Sequence, residues 1–265
     1  MRLSFSTCPN DTFIFHAMLH GRVDTEGLTF DVRLADVEEL NRAAFAGEAE
    51  VTKLSCAACA RVADRYSILD SGSALGRGNG PLLVAKSVRE LSGDAQVAIP
   101  GRHTTAALLL RMAFPQASRL SEKLFSDIPQ AVLQGSVDAG VLIHESRFTY
   151  RQQGLHLLAD LGREWEKRSG LPIPLGCICI RKDADSEQRQ AFGRTLRRSV
   201  DYALQNPAES RTFVKKYAHE LSDDVIDRHI AMFVNGYTQS LGDEGRRAVA
   251  AIFDLAEARA APDFV

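Results

Sequence analysis

No stretch of the 265 residues reaches the ~18 consecutive apolar positions of a membrane span, so a transmembrane helix is excluded. Neither sign of charge is in excess: 32 Lys and Arg against 34 Asp and Glu leave a net charge of -2. A nucleic-acid surface, which needs a basic excess or stripe, is therefore not indicated. The basic pairs Arg197-Arg198 and Lys215-Lys216 fall on amphipathic helical patterns and read as solvated faces. Met1-Arg2 is not followed by the apolar run of ~7–15 residues of a signal peptide, so a cytoplasmic protein is expected. Repeats and low-complexity tracts are missing. Tryptophan occurs once, at Trp165, read as packing in a short helix.

Cysteine is scarce and odd in number. Five cysteines, an odd number, do not make a closed disulfide set, which fits the reduced thiols of a cytosolic protein. The spacings Cys56-Ala-Ala-Cys59 and Cys177-Ile-Cys179 raise the possibility of zinc, which requires four converging soft ligands. The first pair lies on a helix of small residues and the second on one face of a strand. Buried thiols there pack as small hydrophobes, so no metal is expected.

What is present is ample apolar material, 45% of the chain, in alternating strand and helix patterns. Strands are read at 3–6, 28–34, 51–54, 66–69, 81–85, 97–99, 140–143 and 155–161, with an extended segment at 171–180. Helices are read at 11–19, from Val37 to Gly47, after Ser55, at 104–114, 127–134, 186–205, 209–221, 222–234 and 243–259. Ser55, Thr104 and Ser222 are placed as helix N-caps, and Asp127 with Gln130 resembles a capping box. This alternation implies βαβ units with a largely parallel sheet, in two lobes. The boundaries expected are 1–92 with 178–265 for the first lobe and 93–177 for the second.

Ligands of open α/β sheets sit beyond the carboxyl ends of the strands. The apolar run from Gly140 to Ile143 ends there in His144-Glu145-Ser146-Arg147, which makes His144 a candidate proton-transfer group. The alternative is a strand that simply surfaces in polar residues. Three further turns of the same kind are Ser6 to Thr12, Thr52 to Ser55 and Gly101 to Ala106. Helix starts at such turns offer N–H donors to carboxylates or phosphates, although Ser55 and Thr104 could serve as caps alone. Gly72, Gly76, Gly78 and Gly80 form a polar loop without the spacing or lysine of a phosphate-binding loop.

Together S-x-C-P-N-D-T-F-I-F at 6–15, T-K-L-S at 52–55, S-G-x-A-L-G-R-G at 71–78, P-G-R-H-T-T-A at 100–106, I-H-E-S-R-F-T-Y at 143–150 and L-P-I-P-L-G at 171–176 resemble the 1,4-dihydroxy-6-naphthoate synthases of the futalosine route to menaquinone. The resemblance implies an α/β, two-lobed, periplasmic-binding-protein-like type II fold with an interlobe cleft. It implies a carbon–carbon lyase that converts cyclic dehypoxanthinylfutalosine to 1,4-dihydroxy-6-naphthoate, with His144 as proton acceptor and no cofactor. Substrate contacts would fall on Lys53, Leu54, Ser55, Thr104, Thr105 and Ala106, with Asn10 and Arg147 completing the set. The partner would be a small-molecule carboxylate, with no nucleic acid or membrane, and the chain a monomer or homodimer. Cys56 stands where relatives are expected to carry an aromatic. Two rival readings are chorismate dehydratase of the same pathway and a cytosolic solute-binding protein without catalysis.

Overall fold

The structure is a computed structural model that describes residues 1–265 except Arg89. It divides the chain into two compact units. Unit 1 comprises Met1–Gly76 with Pro174–Val265, and unit 2 is Arg77–Ile173.

The first part of unit 1 runs β1 (Arg2–Phe5), α1 (Pro9–Leu19), β2 (Asp31–Leu34), α2 (Val37–Ala46), β3 (Val51–Ser55), α3 (Cys56–Arg61), β4 (Tyr66–Ile68) and β5 (Ala74–Gly76). Unit 2 follows with β6 (Leu82–Ala85), β7 (Gln96–Ile99), α4 (Thr105–Ala113), β8 (Arg119–Glu122), α5 (Ile128–Leu133), β9 (Ala139–Leu142), α6 (Ser146–Thr149), β10 (His156–Asp160) and α7 (Leu161–Ser169). The chain returns to unit 1 through β11 (Ile173–Arg181), α8 (Ser186–Gln205), α9 (Arg211–Tyr217), α10 (Asp223–Phe233), α11 (Gly236–Gln239) and α12 (Gly242–Leu255).

Each unit is built on one mixed sheet. In unit 1 the order is β2-β1-β3-β11-β4, with β5 pairing to β11. In unit 2 it is β10-β6-β9-β7-β8. β1 runs parallel to β2 and β3, and β7 parallel to β8 and β9. The expectation of largely parallel sheets fails at β11 and β6, each antiparallel to its neighbours. Register explains this. Leu82, at the start of β6, faces Leu142 at the end of β9, and Gly176 of β11 faces Ser55 at the end of β3. The chain thus enters each sheet at the carboxyl edge of its parallel strands, and a strand entering there must run backwards.

The lobe boundaries fall earlier than the sequence reading places them, at 76/77 rather than 92/93 and at 173/174 rather than 177/178. β6 belongs to unit 2 because its ladders are made with β9 and β10. β11 belongs to unit 1 because its ladders are made with β3 and β4.

The elements follow local chemistry. Asp36 caps α2 by accepting from Glu38 N at 2.8 Å, and Gly47 ends it at φ 74°. Asp185 and Ser222 cap α8 and α10. α1 is buried from Pro9 to Met18, polar in its first turn at Asn10, Asp11 and Thr12 and mostly apolar beyond. The unit 1 core joins Phe5 and Phe15 to Ile178, Phe192 and Leu196. The unit 2 core gathers Val84, Ile128, Val132 and Leu142.

Three expectations are corrected. Ser55 precedes α3 but makes no side-chain cap, because its Oγ accepts from Asn41 Nδ2 at 3.0 Å. Asp127 forms no capping box; a short 3₁₀ turn, Phe125–Asp127, leads into α5 instead. The glycine loop contains β5, and Gly80 serves close packing rather than flexibility: a Cβ there would lie 2.3 Å from Gly162 Cα.

The loop before β2 is tied to α8 through Glu26, which sits at φ 53° and bonds Arg194 and Arg198 at 2.6 Å each. Hydrogen bonds from Arg194 and then Arg198 lower its carboxyl from the ordinary 4.5 to about 2. A depressed carboxylate contributes stability that is complete above its unfolded value and lost as pH falls through the folded one. Glu26→Gln should therefore reduce the loss of stability in the window from pH 4.5 down to about 2. Urea midpoints at neutral pH and near pH 3 check this, and equal losses in both proteins would refute it.

Candidate active site

In unit 1 the carboxyl ends of β1 and β3 lie side by side, because Leu3 pairs with Val51 and Ser4 with Thr52. The turn after β1 supplies Ser6, Asn10 and Asp11, and the end of β3 supplies Lys53 and Ser55. Lys53 and Asp11, both buried, pair at 2.9 Å. Asp11 also accepts from Ser6 Oγ at 2.7 Å and from Asn10 Nδ2 at 2.8 Å. Asn10 Oδ1 contacts His229 Nε2 at 3.0 Å. Burial pushes the Lys53 ammonium down, but the charge and hydrogen bond of Asp11 outweigh it and hold it above its ordinary value. Gly176 opposite makes room for this side chain, since a Cβ there would sit 3.0 Å from Lys53 Cε and 2.9 Å from Leu54 O.

The predicted residues of this unit are thus brought together, in a largely self-satisfied arrangement. The amide of Asn10 is engaged by Asp11 and His229, and Lys53 Nζ by Asp11. Ser55 hydrogen-bonds Asn41 through both Oγ and backbone N, at 3.0 and 3.1 Å. Leu54 is wholly buried.

In unit 2 the carboxyl ends of β7 and β9 are likewise neighbours. After β7, Thr104 caps α4: its Oγ1 accepts from Ala107 N at 3.2 Å and donates to Gly101 O at 2.8 Å. Thr105 and Ala106 form the buried first turn, where helix N–H groups have no intrahelical acceptor.

After β9 the strand ends at Leu142, one residue earlier than read, and α6 begins at Ser146. His144 lies between them, half-buried, at φ 53°. A left-handed backbone is uncommon for a residue with a Cβ and costs on the order of 1 kcal/mol. The imidazole packs edge-on against Phe125, with centroids 4.8 Å apart.

Arg147, on α6, donates from Nη2 to Gly78 O at 2.9 Å. Its Nη1 is buried and has no hydrogen-bond partner among the described residues. Burial lowers its pKa. Beside Gly78, Asn79 is buried, and both polar atoms of its amide also lack a partner. Such groups are costly to leave unmade and mark where a ligand or water must bind. The loop entering β6 and the turn leaving β9 lie at one sheet edge, since Leu82 pairs with Leu142. Asn79 is absent from the sequence-derived set. Its only signal was the glycine loop around it, discounted for lacking a phosphate-loop pattern.

Residues 1–258 match the family described as Menaquinone biosynthesis. The chain belongs to that family. It is 49% identical to the 1,4-dihydroxy-6-naphtoate synthase of Thermus thermophilus, over 98% of this chain and 94% of that protein. It is 40% identical to the synthase of the same name from Streptomyces coelicolor, over 97% and 93%. Among solved structures, protein AF1704 from Archaeoglobus fulgidus superposes with a TM-score of 0.92 at 40% identity, covering 97% of each chain. The alkanesulfonate-binding protein SsuA from Xanthomonas axonopodis pv. citri gives 0.71 at 14% identity, over 97% of this chain and 92% of that one. This menaquinone-biosynthesis protein therefore has the periplasmic-binding-protein-like fold. No helix of the described residues is long and apolar enough to cross a membrane.

Removing Asp11 strands a buried cation, and breaking such a pair costs roughly 3–5 kcal/mol. Asp11→Asn should lose that much in chemical denaturation at neutral pH. Adding Lys53→Met, which replaces the charge with apolar volume, should recover more than half. A single-variant loss below about 1 kcal/mol would mean the pair does not hold this turn.

Proposed function

We propose that this protein is a 1,4-dihydroxy-6-naphthoate synthase, a carbon–carbon lyase acting in the cytoplasm on cyclic dehypoxanthinylfutalosine. The observation that carries the reading is the turn after β9. There a half-buried imidazole is held in a strained backbone, one helical turn from an arginine with a buried, unpartnered donor. Strain of this kind is found where the surrounding structure fixes a group for a task. His144 takes the proton next to the substrate carbonyl, and the adjacent C–C bond then breaks. A three-carbon fragment leaves and the bicycle becomes aromatic, which supplies the driving force without a cofactor.

Arg147 Nη1 and the Asn79 amide receive the ligand's carboxylate or another oxygen function. The donor geometry of a guanidinium suits a carboxylate. The first turn of α4, with Thr105 and Ala106, adds backbone N–H donors. Within unit 1, the ion pair of Lys53 with Asp11 and the bonds of Ser55 to Asn41 keep the carboxyl end of β3 rigid, and Asn10 braces it through Asp11.

The deciding experiment incubates purified protein with cyclic dehypoxanthinylfutalosine and follows the naphthoate chromophore. Product should form, and its absence under conditions where the protein is folded would overturn the reading. His144→Asn keeps a residue that tolerates the left-handed backbone. It should fold and bind ligand but form no product, so turnover at the parental rate would remove His144 from its role.

Arg147→Ala and Asn79→Ala should raise KM about 10- to 100-fold, the worth of a buried hydrogen bond to a charged group, with a smaller effect on kcat. Unchanged KM in both would place the carboxylate elsewhere.

A further inference from the structure

Four of the five cysteines meet inside unit 1. Cys56 and Cys59 open α3, which follows directly on β3. Cys177 and Cys179 alternate along β11, beside β3 in the register Cys177↔Leu54 and Cys179↔Thr52. Cys56 Sγ lies 3.2 Å from Cys177 Sγ, and Cys59 Sγ 3.3 Å from Cys179 Sγ. Both gaps are shorter than the ~3.5–4.0 Å of ordinary non-bonded carbon contacts. All four side chains are buried and none is in a disulfide. Neither proton transfer nor ligand binding uses them. Packing as four separate small hydrophobes does not require this pairwise approach.

We propose that Cys56/Cys177 and Cys59/Cys179 are two dithiol pairs that a hydroperoxide oxidises to a double disulfide, strapping α3 to β11. In the Cys59/Cys179 pair Cys59, as thiolate, attacks a peroxide oxygen; Cys56 and Cys177, both held above the ordinary thiol value, follow the same course only after local opening lets solvent deprotonate one of them. The O–O bond breaks, and a sulfenic acid forms as water leaves. The partner thiol then displaces the hydroxyl as a second water. One hydrogen peroxide accepts the two electrons of each pair, and two thiols become one S–S bond. Closure needs a sulfur shift of about 1.2 Å to reach the ~2.04 Å bond length.

The surroundings favour a nucleophile at Cys59. Burial pushes its thiol up, but S–H donation from Cys177, Cys179 and Cys56, with the Lys53 charge, holds it well below its ordinary value. Burial and the anionic neighbour raise Cys179, the resolving thiol. Because the quartet is enclosed, oxidation proceeds through local opening of the short α3 and is slow. The strap would form immediately after Lys53, Leu54 and Ser55, so the redox state of the quartet sets the rigidity of that strand end.

Trypsin separates the two halves: Cys56 and Cys59 fall in 54–61, Cys177 and Cys179 in 169–181, and Cys8 in 3–22. Intact protein is treated with hydrogen peroxide, quenched, unfolded in iodoacetamide and digested without reductant. The expected product is 54–61 joined to 169–181 by two disulfides, with Cys8 alkylated. The double variant Cys59→Ala/Cys179→Ala should join the same peptides by one disulfide. Should that variant fail to fold, the parental map still decides. The proposal is overturned if all five thiols remain alkylatable. Oxyacids without cross-linking, or closure of Cys56 on Cys59 within 54–61, overturn it equally. So does about one equivalent of zinc or iron in the purified protein that protects the four thiols until it is chelated, which would make the quartet a metal centre.

Discussion

The buried ion pair between Lys53 and Asp11 is the constraint around which unit 1 is organised. Two charges taken out of water survive only with good geometry and with their remaining hydrogen-bonding capacity filled. Here Ser6 and Asn10 fill it for the carboxylate, and His229 steadies Asn10 in turn. The result fastens the turn after β1 to the end of β3, two segments 42 residues apart. The adjacent strand adapts to it at Gly176, where a Cβ would meet Leu54 O at 2.9 Å and the lysine stem at 3.0 Å.

Fold and chemistry separate cleanly in this molecule. The architecture is shared with proteins of 14% identity, one of them a sulfonate-binding protein, and a fold held in common at that distance does not carry an activity. The chemistry proposed above rests on a few residues at the carboxyl edge of the unit 2 sheet. A left-handed histidine, an arginine with a spare donor and an asparagine with none of its amide satisfied are features a scaffold has no reason to keep. At the carboxyl ends of β1 and β3 in unit 1, by contrast, Ser6, Asn10, Asp11 and Lys53 are engaged with one another.

The sequence carried most of the helices and the long strands, because strong periodicity and caps are local signals. α8 was read at its observed bounds, and Gly47 ends α2 as expected. It missed β8, whose Arg-Leu-Ser-Glu segment has a single apolar residue and so no apolar alternation to detect. It also missed the antiparallel placement of β6 and β11, since strand direction is set by partners distant in sequence. His144 was legible as a polar break after an apolar run, but its backbone conformation was not. Asn79 was invisible, as an unfilled amide becomes informative only when the atoms around it are known. The cysteines were readable as two spacings, and their convergence needed the register of β11 against β3.

The chain passes from unit 1 to unit 2 and back only once in each direction, so unit 2 is one unbroken insertion of Arg77–Ile173. β11, which lies between β3 and β4 in the host sheet, comes after the whole of that insertion. During synthesis the inserted body therefore has every strand of its own sheet in hand while the host sheet still has a gap at its centre. Domains fold as units as they emerge from the ribosome. The later part of the chain is thus expected to complete the earlier, and a nascent chain that has emerged only as far as residues 174–181 would hold a finished insertion within an unfinished host.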